Sequence, residues 1–285
     1  MKRYCLSCLF GATLLVSVAQ ASGLPSSISV GVGGDAEGSR DSYLDLDYAF
    51  IDDSRLLFSS SSNRSDSQGN PFITRTVLLG FRTDPLARVS GGIDLEHWGE
   101  ENSLVTDTLR GVMDINSRHW QFSLRPQWRT LTFTTDCAAV VLPRCVPEVE
   151  VKSRGAAVDI SYFSEGPWSF SLGFAQHGYD KKVEALGQYP IFQLYFSAAT
   201  LDLSSGLEDH RGSIGVSYLS GDSLWSFSGM KSVSAVTGVA SFVNTLSYST
   251  DLNKQWRLRL RLGSQSLKDG VDRVGFAGVG LAYSW

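Results

Sequence analysis

Between Trp256 and Gly263 the chain alternates without exception. Trp256, Leu258, Leu260 and Leu262 fall on one side, and Arg257, Arg259, Arg261 and Gly263 on the other. A period of two with one apolar side is the pattern of a β-strand, because successive side chains leave the backbone on opposite faces. The same pattern returns in Trp120–Trp128, where Trp120, Phe122, Leu124 and Trp128 oppose Gln121, Ser123, Arg125 and Gln127. It returns again at the end of the chain, where Val279, Leu281, Tyr283 and Trp285 oppose Gly278, Gly280, Ala282 and Ser284. Such faces demand a partner. A soluble sandwich hides its apolar face inside, whereas a barrel in lipid turns it outward.

The turns separate these two solutions. Short polar connections recur, each flanked by large or aromatic residues. They are Phe50 to Leu56 around Asp52-Asp53-Ser54, Phe81 followed by Thr83-Asp84-Pro85, and Ile115 to Trp120 around Asn116-Ser117. The others are Phe163 to Trp168 around Glu165-Gly166-Pro167, Tyr218 to Trp225 around Gly221-Asp222, and Tyr248 to Trp256 around Asp251-Leu252-Asn253. Rings beside successive turns make a belt of the kind that sits where a membrane meets water, and a sandwich has no need of one. The remaining connections are polar and read as longer: Asp35–Arg40, Asn63–Asn70, Gly99–Asn102, Thr134–Glu150, Tyr179–His210, Ser234–Gly238 and Ser266–Asp272. Six short turns and seven loops predict an all-β, up-and-down antiparallel transmembrane barrel of about fourteen strands. Twelve or sixteen satisfy the same even parity. Counting Pro190–Leu203 as a spanning strand would make the number odd, so Tyr179–His210 is read as one excursion, either above the membrane or folded into the barrel.

The first residues read as an export leader. Lys2 and Arg3 precede an apolar run from Cys5 to Val18 that ends in Ala19-Gln20-Ala21, an A-x-A cleavage site. Residues 1–21 are therefore expected to be a cleaved signal and residues 22–285 a single barrel domain. Cys8 lies before the apolar core, the wrong place for a lipoprotein anchor. Losing Lys2 and Arg3 moves the formal net charge from -4 to -6, and no basic stripe interleaved with aromatics suggests nucleic acid. Cys137 and Cys145, close in sequence and flanked by Pro143 and Pro147, are expected to form a small disulfide loop.

Ala19-Gln20-Ala21, the aromatic-flanked turns and the ending Val279-x-Leu281-x-Tyr283-x-Trp285 resemble the Gram-negative outer-membrane β-barrel class as a whole. The resemblance implies a location in the outer membrane, among its lipid and lipopolysaccharide. It implies short turns and both termini in the periplasm, and long loops outside. The terminal residues Val279, Leu281, Tyr283 and Trp285 are similar to the signal that the barrel-assembly machinery reads. The size is similar to monomeric porins of about fourteen strands, without a specific porin motif and without the plug domain of the fatty-acid transporters.

Turning the apolar side to lipid decides which charges face inward. They are Asp45, Asp47, Asp94, Glu96, Arg110, Arg125, Arg129, Asp159, Arg257, Arg259 and Arg261. An arginine facing lipid near the midplane costs roughly 2–4 kcal/mol, so three on one strand must share the interior. Two readings follow. The charges either line a water-filled pore for small polar or charged solutes, or they pair into a network that plugs a structural, partner-binding barrel acting through its loops. Small inward residues such as Ser169, Ser171, Gly173, Ser213, Gly215, Ser226 and Ser228 favour water. With the Asp45–Asp47 strand three spacings from the arginine strand, the two rows are expected to oppose each other without pairing. A hydrolase is the remaining class. His97 with Asp94 and Glu96 nearby, or His177, could activate water at the rim, but no nucleophile motif, metal-ligand cluster or cofactor loop accompanies them. The exported chain should begin at Ser22, and intact-mass measurement of membrane-extracted protein would detect a retained Met1–Ala21 segment, the outcome that refutes the leader.

Overall fold

The computed structural model describes residues 25–65, 72–100, 104–134, 148–181, 207–235, 238–267 and 273–285. Alternating segments become strands throughout: β1 (Ser27–Asp35), β2 (Arg40–Ala49), β3 (Arg55–Ser65), β4 (Phe72–Arg82), β5 (Val89–Glu100), β6 (Leu104–Asn116) and β7 (Trp120–Thr134). They continue as β8 (Glu148–Phe163), β9 (Trp168–Tyr179), β10 (Glu208–Ser220), β11 (Ser223–Ser234), β12 (Ala240–Asp251), β13 (Trp256–Leu267) and β14 (Arg273–Ser284). Each strand pairs antiparallel with its sequence neighbours, and β1 pairs with β14 to close a fourteen-strand barrel. Below its last strand pair the seam is tied by two further backbone bonds, Ser26 N–H to Trp285 O (3.2 Å) and Trp285 N–H to Ser26 O (3.1 Å).

The predicted strand number and the six short turns are those of the structure. The expected contrast between short turns and long loops is narrower than the sequence suggested. Only residues 101–103 separate β5 from β6, and residues 36–39 separate β1 from β2, while the turn between β4 and β5 takes residues 83–88. The contrast rests on the β7–β8 and β9–β10 connections. Cys137, Cys145 and Pro190–Leu203 belong to those two connections and lie outside the described residues, as do the leader residues.

The outer face carries the apolar side of every pattern. Val32, Leu79, Leu95, Leu172, Phe174, Ile214 and Leu262 are each more than half exposed. An apolar surface continuous around a closed barrel is what lipid covers. At the short-turn end this band is bordered by four cross-strand tryptophan–tyrosine pairs. Trp120 meets Tyr162 with ring centres 4.8 Å apart, Trp168 meets Tyr218 at 4.7 Å, Trp225 meets Tyr248 at 4.5 Å and Trp256 meets Tyr283 at 4.9 Å. Every pair consists of residues directly opposite in the strand register, so the pairing follows from alternation and turn length together.

The terminal residues of the assembly-signal motif join this border. Val279 is on the outer face, Leu281 lies opposite Leu258, Tyr283 is the partner of Trp256, and Trp285 stacks on Tyr283 at 6.0 Å. Tilted aromatic pairs contribute about 0.5–1.5 kcal/mol beyond the area they bury. A double-mutant cycle on Trp225→Ala and Tyr248→Ala, read by denaturant unfolding from detergent, should therefore give a coupling of about 1 kcal/mol. Strictly additive losses would show that the two rings do not act as a unit.

Candidate functional site

The side opposite the apolar band is the interior, and one contact proves the sense of curvature. Arg261 Nη2 on β13 lies 3.4 Å from Asp41 Oδ2 on β2, with β14 and β1 between them. Side chains three strands apart can meet only across the concave face of the wall. The spacing predicts that the arginine strand and the Asp45–Asp47 strand are too far apart to pair unless the wall curves sharply. Here it is Asp41 that makes the contact, while Asp45 and Asp47 bind Ser59, Ser29 and Arg55. At about 4.8 Å per spacing the gap is real. It is bridged because Gly33 and Gly278, directly opposite each other, separate the two residues along one row across the wall. A Cβ on Gly33 would collide with the Asp41 carboxylate. The next row repeats the device with Gly31 and Gly280, and the Tyr43 ring lies on that glycine floor, its hydroxyl reaching Gly280.

The remaining predicted inward charges fall into two groups. Asp94, only 2% exposed, receives both forks of Arg82, Nη1 to Oδ1 at 2.6 Å and Nη2 to Oδ2 at 2.8 Å. Arg110 stands 3.5 Å from the same carboxylate and 3.4 Å from Glu96. Beside them Arg125 pairs with Asp159 at 2.8 Å, and Arg129 donates to Gln127 Oε1 at 2.7 Å. This side of the interior is packed around Asp94, from β4 to β6, while the Arg125–Asp159 pair and inward Ser171, from β7 to β9, are more open. At its long-loop end Trp98, Leu104, Leu131, Phe133, Val151 and Leu207 form one buried apolar cluster, which brings the start of β10 against β5 and β6 across the barrel. His177, Ser153 and Glu208 are also buried on this side.

The other side, from β10 through β14 to β3, is open. A cavity of about 890 Å³ runs along it, lined by Arg257, Arg259 and Arg261 together with hydroxyl side chains such as Ser226, Thr245 and Ser247. The flanking arginines are half exposed, 51% for Arg257 and 49% for Arg261, although both point inward. Asp45 accepts from Ser59 Oγ at 2.7 Å and Ser29 Oγ at 3.2 Å, and Asp47 binds Arg55 Nε at 2.5 Å. The sequence reading missed Asp41, Tyr43, Arg55, Arg82 and Asp251. Asp41 and Tyr43 share the strand parity of Asp45 and Asp47, so extending that alternation to the strand end would have found them. Arg55, Arg82 and Asp251 stand on β3, β4 and β12, strands on which no inward residue had been chosen.

Of the histidines only His177 is buried in this interior. His97 Nδ1 lies 2.7 Å from Asp107 on the outer face, whereas Asp94 and Glu96, the acids expected beside it, point to the opposite side of the wall. His119 approaches the Phe163 carbonyl, His210 approaches Asp209, and the His177 ring lies against Gly155. Among the described residues no three His, Cys, Asp or Glu side chains gather as a metal site.

No family model and no curated protein matches the chain. Solved structures do. The CymD monoaromatic hydrocarbon channel superposes with a TM-score of 0.53 at 9% identity, over 98% of this chain and 92% of that one. The fold is that of a porin-like barrel. Pseudomonas putida OprB (TM-score 0.49, 9% identity, 96% of each chain) and a KdgM porin in complex with disordered oligogalacturonate (0.46, 9%, 91% of this chain and 99% of that one) are also similar, at levels that add nothing to this conclusion. At such identity the likeness reaches the architecture and not the solute.

The two groups of charges should respond differently to mutation. Asp94→Ala leaves the largely buried Arg82 without its carboxylate and Arg110 with Glu96 alone, and should cost about 3 kcal/mol or more, the range for breaking a buried pair. Asp41→Ala frees a half-exposed Arg261 into water and should cost no more than about 1 kcal/mol. Denaturant unfolding of both variants checks this, and equal losses would contradict the division of the interior into packed and open sides.

Proposed function

We propose that this chain is an outer-membrane channel that passes small polar and charged solutes along the open side of its interior. The observation that carries the reading is the coincidence of inward direction and high exposure at Arg257 and Arg261. A plugged barrel would bury such residues, as the opposite wall buries Asp94. The hydroxyl lining of the cavity supports the same conclusion, since serine and threonine replace water's hydrogen bonds for a passing solute. Asp45, Asp47, Asp94, Glu96, Arg110, Arg125, Arg129 and Asp159 act mainly by propping the wall, and Arg257, Arg259 and Arg261 act on the solute.

The apolar outer face and its aromatic border support a place in the outer membrane, with the short turns and both termini in the periplasm and the β7–β8 and β9–β10 connections outside. Residues 1–21 serve export, Cys137 and Cys145 are joined in the β7–β8 connection, and the terminal aromatic strand is read by the barrel-assembly machinery. Lipopolysaccharide surrounds the outer end. The packed side narrows the passage to one flank and leaves the channel off-centre.

Reconstitution into a planar bilayer tests the channel directly. Purified protein should give stepwise, reproducible ion conductance. Protein that has inserted fully, judged by the altered gel migration of unheated samples, yet gives no steps would refute the reading.

A further inference from the structure

We propose that Arg259 is the solute-binding cation of this interior and that it takes the carboxylate of a hydroxylated organic anion. The assignment deepens the channel reading and rests on it for its physiological meaning, while the site itself rests on geometry. Three arginines at alternate positions of one strand lie about 7 Å apart in succession on the interior face. Their surroundings differ. Arg257 is held by Asp251, Nε to Oδ1 at 2.6 Å and Nη2 to Oδ2 at 3.2 Å. Arg261 reaches Asp41 and lies 5.6 Å from the centre of the Phe276 ring. Arg259 has no hydrogen-bond or ion-pair partner among the described residues, and it is exposed to the cavity.

The cause is written in the rows that cross the wall. The row through Arg261 ends on an acid, Asp41, after two glycines. The row through Arg259 passes Gly280 and Gly31 and ends on Tyr43, a phenol that cannot neutralise a guanidinium. On its other flank Arg259 faces Ser249, which is neutral. Acids at both ends of the strand therefore fix the outer two arginines and leave the middle one with its donors unclaimed.

A guanidinium offers N–H groups in a planar fork that matches a carboxylate, and charge-assisted pairs of this kind are the strong ones. Arg82 displays the same pairing internally with Asp94. A carboxylate on Arg259 would lie within a cavity whose walls carry Ser61, Ser226, Thr245, Ser247 and Tyr43. These hydroxyls donate and accept, and so suit a solute with several hydroxyl groups of its own. A cavity of about 890 Å³ holds a molecule of sugar-acid size and not merely a halide.

The test uses sodium gluconate as the probe, glucose as its uncharged counterpart and inorganic phosphate as a plain oxyanion. Calorimetric titration of the detergent-solubilised full barrel should detect gluconate binding at least about tenfold tighter than glucose or phosphate. Arg259→Gln should weaken gluconate about tenfold or more, and Arg259→Lys, which keeps the charge and loses the fork, should fall between. Arg118→Gln, a change at an exposed turn residue, should leave binding as it was. Binding should weaken as salt rises, because the Debye length falls to about 3 Å at 1 M.

If Arg259→Gln fails to fold, the lysine variant alone decides, and binding equal to the wild type overturns the assignment. Phosphate binding as tightly as gluconate overturns the choice of a hydroxylated carboxylate. A barrel that conducts but binds gluconate equally with and without Arg259 refutes the site and leaves the channel standing. Arg259-dependent binding by a barrel that never conducts does the reverse.

Discussion

A bilayer offers no hydrogen bonds to the main chain, so a strand left unpaired within it carries a row of unsatisfied N–H and C=O groups along its length. In this protein that constraint is met at one seam, where Ser27–Asp35 pairs with Arg273–Ser284. Everything else in the architecture depends on that closure. Because β1 and β14 meet, alternation acquires an inside and an outside, and each apolar or charged side chain is assigned to lipid or to the interior by parity alone. Without closure the three arginines of β13 would have no protected face to occupy.

The seam also sets the chemistry of the interior. Inward positions on β1 and β14 are Gly31, Gly33, Gly278 and Gly280 over two successive rows. With no side chains rising from these rows, long residues on β13 and β2 can lie down across them, and both the Asp41–Arg261 bridge and the flat Tyr43 ring use that space. Across the barrel, around Asp94 and at the long-loop end, the inward positions carry bulk, and the same parity rule yields a buried ion-pair network and an apolar cluster. One wall is upholstered by its own side chains. The other is left bare enough for water.

Much of this was legible from residue order because the signals were local. Strand direction at Trp256–Gly263 is fixed by eight consecutive residues, and the strand number follows from turns such as Gly221-Asp222 between rings. The face of Arg110 or Asp159 needs only the parity of its own strand. Pairing is different in kind. That Asp94 takes Arg82, or that Arg261 crosses to Asp41, depends on register between strands, which in the second case are more than two hundred residues apart in sequence. The alternating pattern of a single strand is unchanged when its neighbour slides by two, so it carries no information about which carboxylate meets which guanidinium. His97 illustrates the opposite error. Asp94 and Glu96 are close to it in sequence, yet a strand sends odd and even positions to different faces, and its carboxylate comes from Asp107 on the next strand.

The four tryptophan–tyrosine pairs have a further meaning when matched to the hairpins that contain them. They join β7 to β8, β9 to β10, β11 to β12 and β13 to β14, in each case at the end away from the loop that links those two strands. Each hairpin is thus buckled at its open end by two rings and at its other end by the chain itself. A buckle placed there holds the register whatever the length of the connection opposite. The residues between β7 and β8, and between β9 and β10, can accordingly be lengthened, shortened or exchanged over evolutionary time while the wall beneath them keeps its alignment. Variation in those connections is uncoupled from the structure that carries them.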